Sequence, residues 1–241
     1  MKNYIVARRK IFQFGVIAIG TGIVTKATSS WAIILQKKER VVALDKLDET
    51  STPDRVLEEL MAGNQRFVEN KSESRNQDYI RLQEVSSKQK PLVSIMGCAD
   101  SRVPIEVIFD RGFGDLFVVR DAGNIATPEE IGSLEYGTYV LGSKVLMVLG
   151  HEKCGAVKAA LEEKPLPGQM GSIIAAIQPA IDRANKNDSE KFYTETIKRN
   201  VMLQVDRLNS SPLLSDLIAQ GKLKIVGAYY SLKTGEVSLI G

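Results

Sequence analysis

The chain of 241 residues carries 32 lysines and arginines against 29 aspartates and glutamates, with two cysteines and a single histidine. That length suits one α/β domain with appendages and is too short for two full enzyme domains. Near-balanced charge, without a basic block interleaved with aromatics, argues against nucleic-acid binding.

Residues 1–32 differ in composition from the rest of the chain. Lys2, Arg8, Arg9 and Lys10 precede an apolar run from Gly15 to Val24, and Ser30-Trp31-Ala32 offers small residues for cleavage, which is the build of an export signal. The run is short for a permanent membrane helix, so a processed signal is expected, and an uncleaved signal is the only route by which the chain would meet a membrane. Arg8-Arg9 resembles the twin-arginine signal in part. Ala7 and Ile11 stand where Ser or Thr and Phe are usual, so ordinary secretion stays open. Removing residues 1–32 takes away five basic residues and none that is acidic, so the formal charge passes from +3 to −2. The expected destination is the periplasm or a lumen, with the medium as the alternative. An oxidising compartment also allows the two cysteines to pair as a disulfide.

Residues 33–51 lack a periodic apolar face and read as a linker. Thr52-Pro53 then supplies an N-cap and a proline at the first helical position, and Val56, Leu57, Leu60, Met61, Phe67 and Val68 recur at helical spacing, predicting a helix from Pro53 to Glu69. After a polar stretch, Leu92 to Met96 reads as a covered parallel strand that stops at Gly97, with Cys98 beyond its carboxyl end. Asp115 to Val119 repeats the pattern. Thr127-Pro128-Glu129-Glu130 opens a helix expected to run through Leu141 and stop at Gly142. Lys144 to Leu149 is the third strand, ended by Gly150 and followed by His151. Cys154 begins a helix that continues through Leu161.

Helical patterns then cover 173–184, where Pro179 is expected to kink or interrupt the helix, 191–208 and 212–220. A strand over 223–231, a turn at Lys233-Thr234-Gly235 and a strand over 236–240 close the chain. The class is α/β, a mainly parallel central sheet flanked by helices with a C-terminal strand and hairpin.

Cys98, His151 and Cys154 offer two soft thiolates and an imidazole, each placed near a strand end where open α/β sheets hold their ligands. Three protein donors suit a catalytic zinc site with one open position. A structural zinc clip or a disulfide in an exported, non-catalytic protein is the alternative. Asp100 is either a conditional fourth ligand or the partner of Arg102, two residues on.

The segment Cys98-Ala99-Asp100-Ser101-Arg102, followed by His151-x-x-Cys154, resembles the β-class carbonic anhydrases. The likeness runs from about residue 53 to the C-terminus through Gly63-Asn64-Gln65-Arg66-Phe67, Gln89-Lys90-Pro91, Phe117-Val118-Val119-Arg120, Ala122-Gly123-Asn124, Glu135-Tyr136 and Gly150-His151 with Cys154-Gly155. It implies a catalytic domain over 52–241 that binds one Zn²⁺ through Cys98, His151 and Cys154, with Asp100 and Arg102 as a catalytic dyad. It implies Gln89 as a hydrogen-bond donor to substrate and Phe117 and Tyr136 as pocket walls. The implied reaction is reversible hydration of CO₂ to bicarbonate and a proton by zinc-bound hydroxide, and the implied assembly is a homodimer or larger homo-oligomer. Hydrolysis of carbon disulfide or carbonyl sulfide is the rival on the same fold. Asp121 departs from the asparagine of many relatives, and Ala122 from a larger apolar residue.

Overall fold

The apolar runs of the sequence become strands of one sheet in a computed structural model, which describes residues 47–162, 166–184 and 189–241. The expected export signal and the linker as far as residue 46 lie outside the described residues. Strands β1 (Val93–Cys98), β2 (Leu116–Asp121), β3 (Val145–His151), β4 (Lys224–Tyr230) and β5 (Val237–Ile240) form a five-stranded sheet in the order β2-β1-β3-β4-β5. All neighbours are parallel except β4 and β5. Every residue of β1 and β3 is buried, which is why both read as continuous apolar runs and not as alternating ones.

Alternate side chains of these strands face two helical layers. On one side α1 (Pro53–Val68) buries Val56, Leu57 and Leu60 against Val93, Ile95, Val145, Met147 and Leu149. Thr52 caps it by accepting from the Arg55 N–H at 3.4 Å, and Pro53 occupies its first turn. On the other side α7 (Ser189–Asn209) sets Val201, Val205 and Leu208 against Met96, Leu146 and Val148. Between these elements lie α2 (Tyr79–Val85), α3 (Ile105–Ile108), α4 (Pro128–Glu135), α5 (Gly155–Leu161) and α6 (Met170–Arg183), and α8 (Pro212–Ala219) follows α7. Among the described residues no helix is long and apolar enough to cross a membrane.

Several boundaries differ from expectation for physical reasons. Gly97 and Gly150 do not end their strands: β1 continues to Cys98, opposite Asp121, and β3 to His151, opposite Tyr230. Both glycines answer to close packing, since a Cβ would lie 2.6 Å from Ile105 Cδ1 at Gly97 and 2.5 Å from Val201 Cγ2 at Gly150. The helix begun at Pro128 changes at Tyr136–Val140 into a π-helical turn. Pro179 lies inside α6 without interrupting it. The bond it deletes belongs to the carbonyl of Ala175, an exposed residue, while Ile177, Ala180 and Ile181 stay buried around it. The helix α2 was not expected: it is seven residues long, and none of its residues is fully buried.

Asn64 fastens α1 to the far end of the chain. Its Nδ2 donates to the carbonyls of Ile108 at 3.0 Å and Gly235 at 2.9 Å, and its Oδ1 accepts from the Val237 N–H at 2.8 Å. Asn64→Ala leaves these buried backbone groups unpaired, so a loss of about 3 kcal/mol is expected in urea unfolding. A loss below about 1 kcal/mol would mean that water replaces the side chain.

Candidate metal centre

Because β1 and β3 are parallel neighbours, Cys98 and His151 emerge at the same edge of the sheet. Lys153, with a left-handed φ of 54°, turns the chain so that Cys154 becomes the N-cap residue of α5. The ligand atoms of Cys98, His151 and Cys154 all lie within 4.8 Å of one another, and all three residues are buried. The carbonyl of Glu152 accepts from His151 Nδ1 at 2.9 Å, which places the ring proton there. Nε2 is then a buried nitrogen with a free lone pair and no hydrogen-bond partner. An orphaned imidazole nitrogen beside two unbridged thiols fits a soft tetrahedral ion such as zinc, with one position left over.

The electrostatics of the sulfurs agree with that fit. A hydrogen bond from Cys154 holds the Cys98 thiol down against the desolvation of its site, with the N–H groups of Gly123 and Asp100 adding to the effect. The same bond, together with burial, pushes Cys154 up, while the N–H groups of Val157 and Ala156 at the start of α5 pull the other way. A soft cation bound between the two sulfurs would favour the thiolate form of both.

Asp100 stands at the rim. Its Oδ1 accepts from the N–H and Nε of Arg102, both at 2.9 Å, and its Oδ2 accepts from Arg102 Nη2 at 2.8 Å. This two-pronged pairing holds the carboxyl well below the usual carboxylate range. Its Oδ2 lies 3.9 Å from His151 Nε2, close to the donors but engaged by Arg102. Arg102 Nη2 also donates to the Lys153 carbonyl at 3.2 Å and so ties the two ligand-bearing loops together.

Further side chains hold the ligands from behind. Arg120 donates to the carbonyls of Cys98 at 3.0 Å and Asp100 at 2.8 Å, and Tyr193 in α7 donates its hydroxyl to the Cys154 carbonyl at 2.6 Å. An arginine closing an apolar strand was a usable signal for Arg120, whereas Tyr193 lies on a remote helix and carried none. Burial pushes the Asp121 carboxyl up to about 7, although its Oδ1 accepts from the Ile125 N–H at 2.9 Å.

Gln89, Phe117 and Tyr136 lie elsewhere in the same chain. Gln89 is exposed in the loop before β1, whose length separates it from Cys98 by roughly 16 Å of strand. Phe117 sits opposite Ser94, four residues below Cys98 along β1, and its ring centroid is 6.3 Å from that of Tyr136. The three therefore lie toward the amino ends of the strands, whereas Cys98, His151 and Cys154 lie at the carboxyl ends.

Residues 93–237 match the family model described as carbonic anhydrase. The chain is 37% identical to carbonic anhydrase 2 of Mycobacterium tuberculosis over 187 residues, covering 75% of this chain and 89% of that protein. It is 36% identical to the carbonic anhydrase of Mycolicibacterium smegmatis over 197 residues, covering 78% and 94%. Among solved structures, the β-carbonic anhydrase CcaA superposes with a TM-score of 0.61 at 26% identity, over 77% of this chain and 95% of that one. A tetrameric β-carbonic anhydrase from Sordaria macrospora shares the fold with a TM-score of 0.62 at 22% identity, over 75% and 94%.

The purified chain is expected to carry about one zinc per polypeptide by plasma emission spectrometry, and Cys98→Ser or Cys154→Ser to lose most of it. Metal retained in full by both variants would show that it binds elsewhere.

Proposed function

Since the chain belongs to the β-class carbonic anhydrase family, we propose that it catalyses the reversible hydration of CO₂ to bicarbonate and a proton at the Cys98–His151–Cys154 centre. The observation that carries this reading is the buried pair of thiols and orphaned imidazole nitrogen beside a carboxylate gripped by arginine. A zinc ion held by Cys98, His151 and Cys154 would supply Lewis acidity, which lowers the pKa of a bound water from about 15.7 to about 7.

The chain's own residues divide the remaining work. The Glu152 carbonyl orients His151, and the core around Ile125, Val157 and Ile177 keeps bulk water from the two sulfurs. Asp100, ionised and acceptor-only, orients the reacting O–H at the rim because Arg102 occupies both of its oxygens. Were Arg102 to release it, Asp100 could itself serve as a ligand, so the pair would act as a gate as well as an orienting device.

A second copy completes the pocket. Gln89, Phe117 and Tyr136 stand too far from their own metal centre to serve it, and Tyr136, Tyr139 and Val140 expose 47%, 62% and 58% of their surface on one turn. Covering that apolar surface with another copy brings these groups to a metal centre across the interface, in a homodimer or larger assembly. The composition of residues 1–32 supports export to a periplasm or lumen. The two mycobacterial relatives are carbonic anhydrases by name, which favours CO₂ over carbon disulfide or carbonyl sulfide as substrate.

With the sole histidine committed to the centre, the proton must leave through water, Tyr136 or buffer. Stopped-flow CO₂ hydration is therefore expected to rise with buffer concentration, and flat rates would contradict this route. Asp100→Asn and Arg102→Ala are each expected to lower kcat/KM roughly 10–100-fold with metal content unchanged. Full turnover in either variant would remove the dyad from the mechanism.

A further inference from the structure

Gly123 follows β2 with a φ of 95°, and its N–H lies 3.4 Å from Cys98 Sγ. A Cβ there would come within 3.0 Å of Ile177 Cδ1 and 3.1 Å of Ala156 Cβ, so conformation and space both demand glycine. The Gly123 carbonyl accepts a 2.8 Å bond from Asn200 Nδ2 in α7. One helical turn on, Gln204 Nε2 donates to Asn200 Oδ1 at 2.8 Å. Gln204 Oε1 in turn accepts from the Ala126 N–H and from Arg207 Nη1, both at 3.0 Å. Asn200 and Gln204 are 1% and 0% exposed, on a helix that also buries Thr196, Val201, Val205 and Leu208.

Two buried side-chain amides are costly unless their polar atoms are paired. Both of these grip the loop 123–126, and that loop carries the N–H aimed at the ligand sulfur. We propose that Asn200, backed by Gln204, is a positioning residue that keeps the Gly123 N–H on the Cys98 thiolate and thereby limits the charge this sulfur gives the metal. An N–H···S bond draws electron density away from the thiolate, so the ion stays a stronger Lewis acid. Gly123 and Cys98 make the direct contact, and Asn200 acts only through them. The inference rests on the reading of Cys98 as a metal ligand.

The test uses the full chain loaded with ¹¹³Cd and labelled with ¹⁵N. A hydrogen bond to a metal-bound sulfur carries a scalar coupling between the metal and the amide proton, so coupling is expected at Gly123. In Asn200→Ala and in Gln204→Leu the coupling is expected to shrink or vanish. In their cobalt(II) forms the sulfur-to-cobalt charge-transfer band is expected to move to longer wavelength, while the d–d bands that report coordination number stay in place. Lowered thermal midpoints with an unmoved band and intact coupling would reduce Asn200 to a packing role and overturn the proposal. Should neither variant fold, the wild-type coupling decides alone, and its absence from cadmium-loaded protein overturns the proposal while leaving the metal centre intact. A chain that takes up neither cadmium nor cobalt overturns both readings.

Discussion

Parallel pairing of β1 with β3 is the constraint on which the rest of the molecule depends. With Val93 opposite Val145 and Gly97 opposite Leu149, the two strands finish together, and a sulfur and an imidazole arrive side by side without any loop having to search for the geometry. The third donor comes three residues later because Lys153 accepts a left-handed backbone and α5 begins at once. Buried strands are rigid platforms, so the donor spacing is set by sheet geometry and core packing. The two glycines before Cys98 and His151 belong to the same device, since they let Ile105 and Val201 press directly on the strands that carry the ligands.

The centre is then held by hydrogen bonds that converge on it from several elements. Arg102 bridges Asp100 to the Lys153 carbonyl, Arg120 bridges Cys98 to Asp100, Tyr193 steadies Cys154, and the α7 amides steady Gly123. Each contact reaches a ligand's backbone or an immediate neighbour, so a displacement of α7 would be felt at both sulfurs. Burying two thiols and an imidazole nitrogen with so few partners is unfavourable in itself, and a metal ion held there would offset that cost by taking the lone pairs.

How much of this the sequence revealed depends on which forces leave a local pattern. The buried strands and the long helices on either side of them were legible because burial on both faces writes a continuous apolar run and burial on one face writes a helical period. Strand ends were misplaced by one or two residues because Gly97 and Gly150 look like terminators when their role is close packing. The helix α2 was missed because it is short and fully buries none of its residues, and Pro179 misled because the carbonyl it orphans belongs to an exposed residue. Cys98, His151 and Cys154 were legible as a donor set from residue chemistry and spacing. The position of Gln89, Phe117 and Tyr136 at the other end of the strands was not, since motif order along a chain carries no sheet register. Asn200 and Gln204 were equally hidden, because an amide on a helix reads as surface until the helix is packed.

The most direct measurement is stopped-flow CO₂ hydration by the full chain as zinc-loaded protein, after removal of the metal by chelation, and after zinc is restored. Expected is a rate far above the buffer blank with zinc, its loss in the metal-free protein, and its return with the metal. A zinc-loaded chain, folded and holding its metal through Cys98, His151 and Cys154, that hydrates CO₂ no faster than the blank would contradict the assignment.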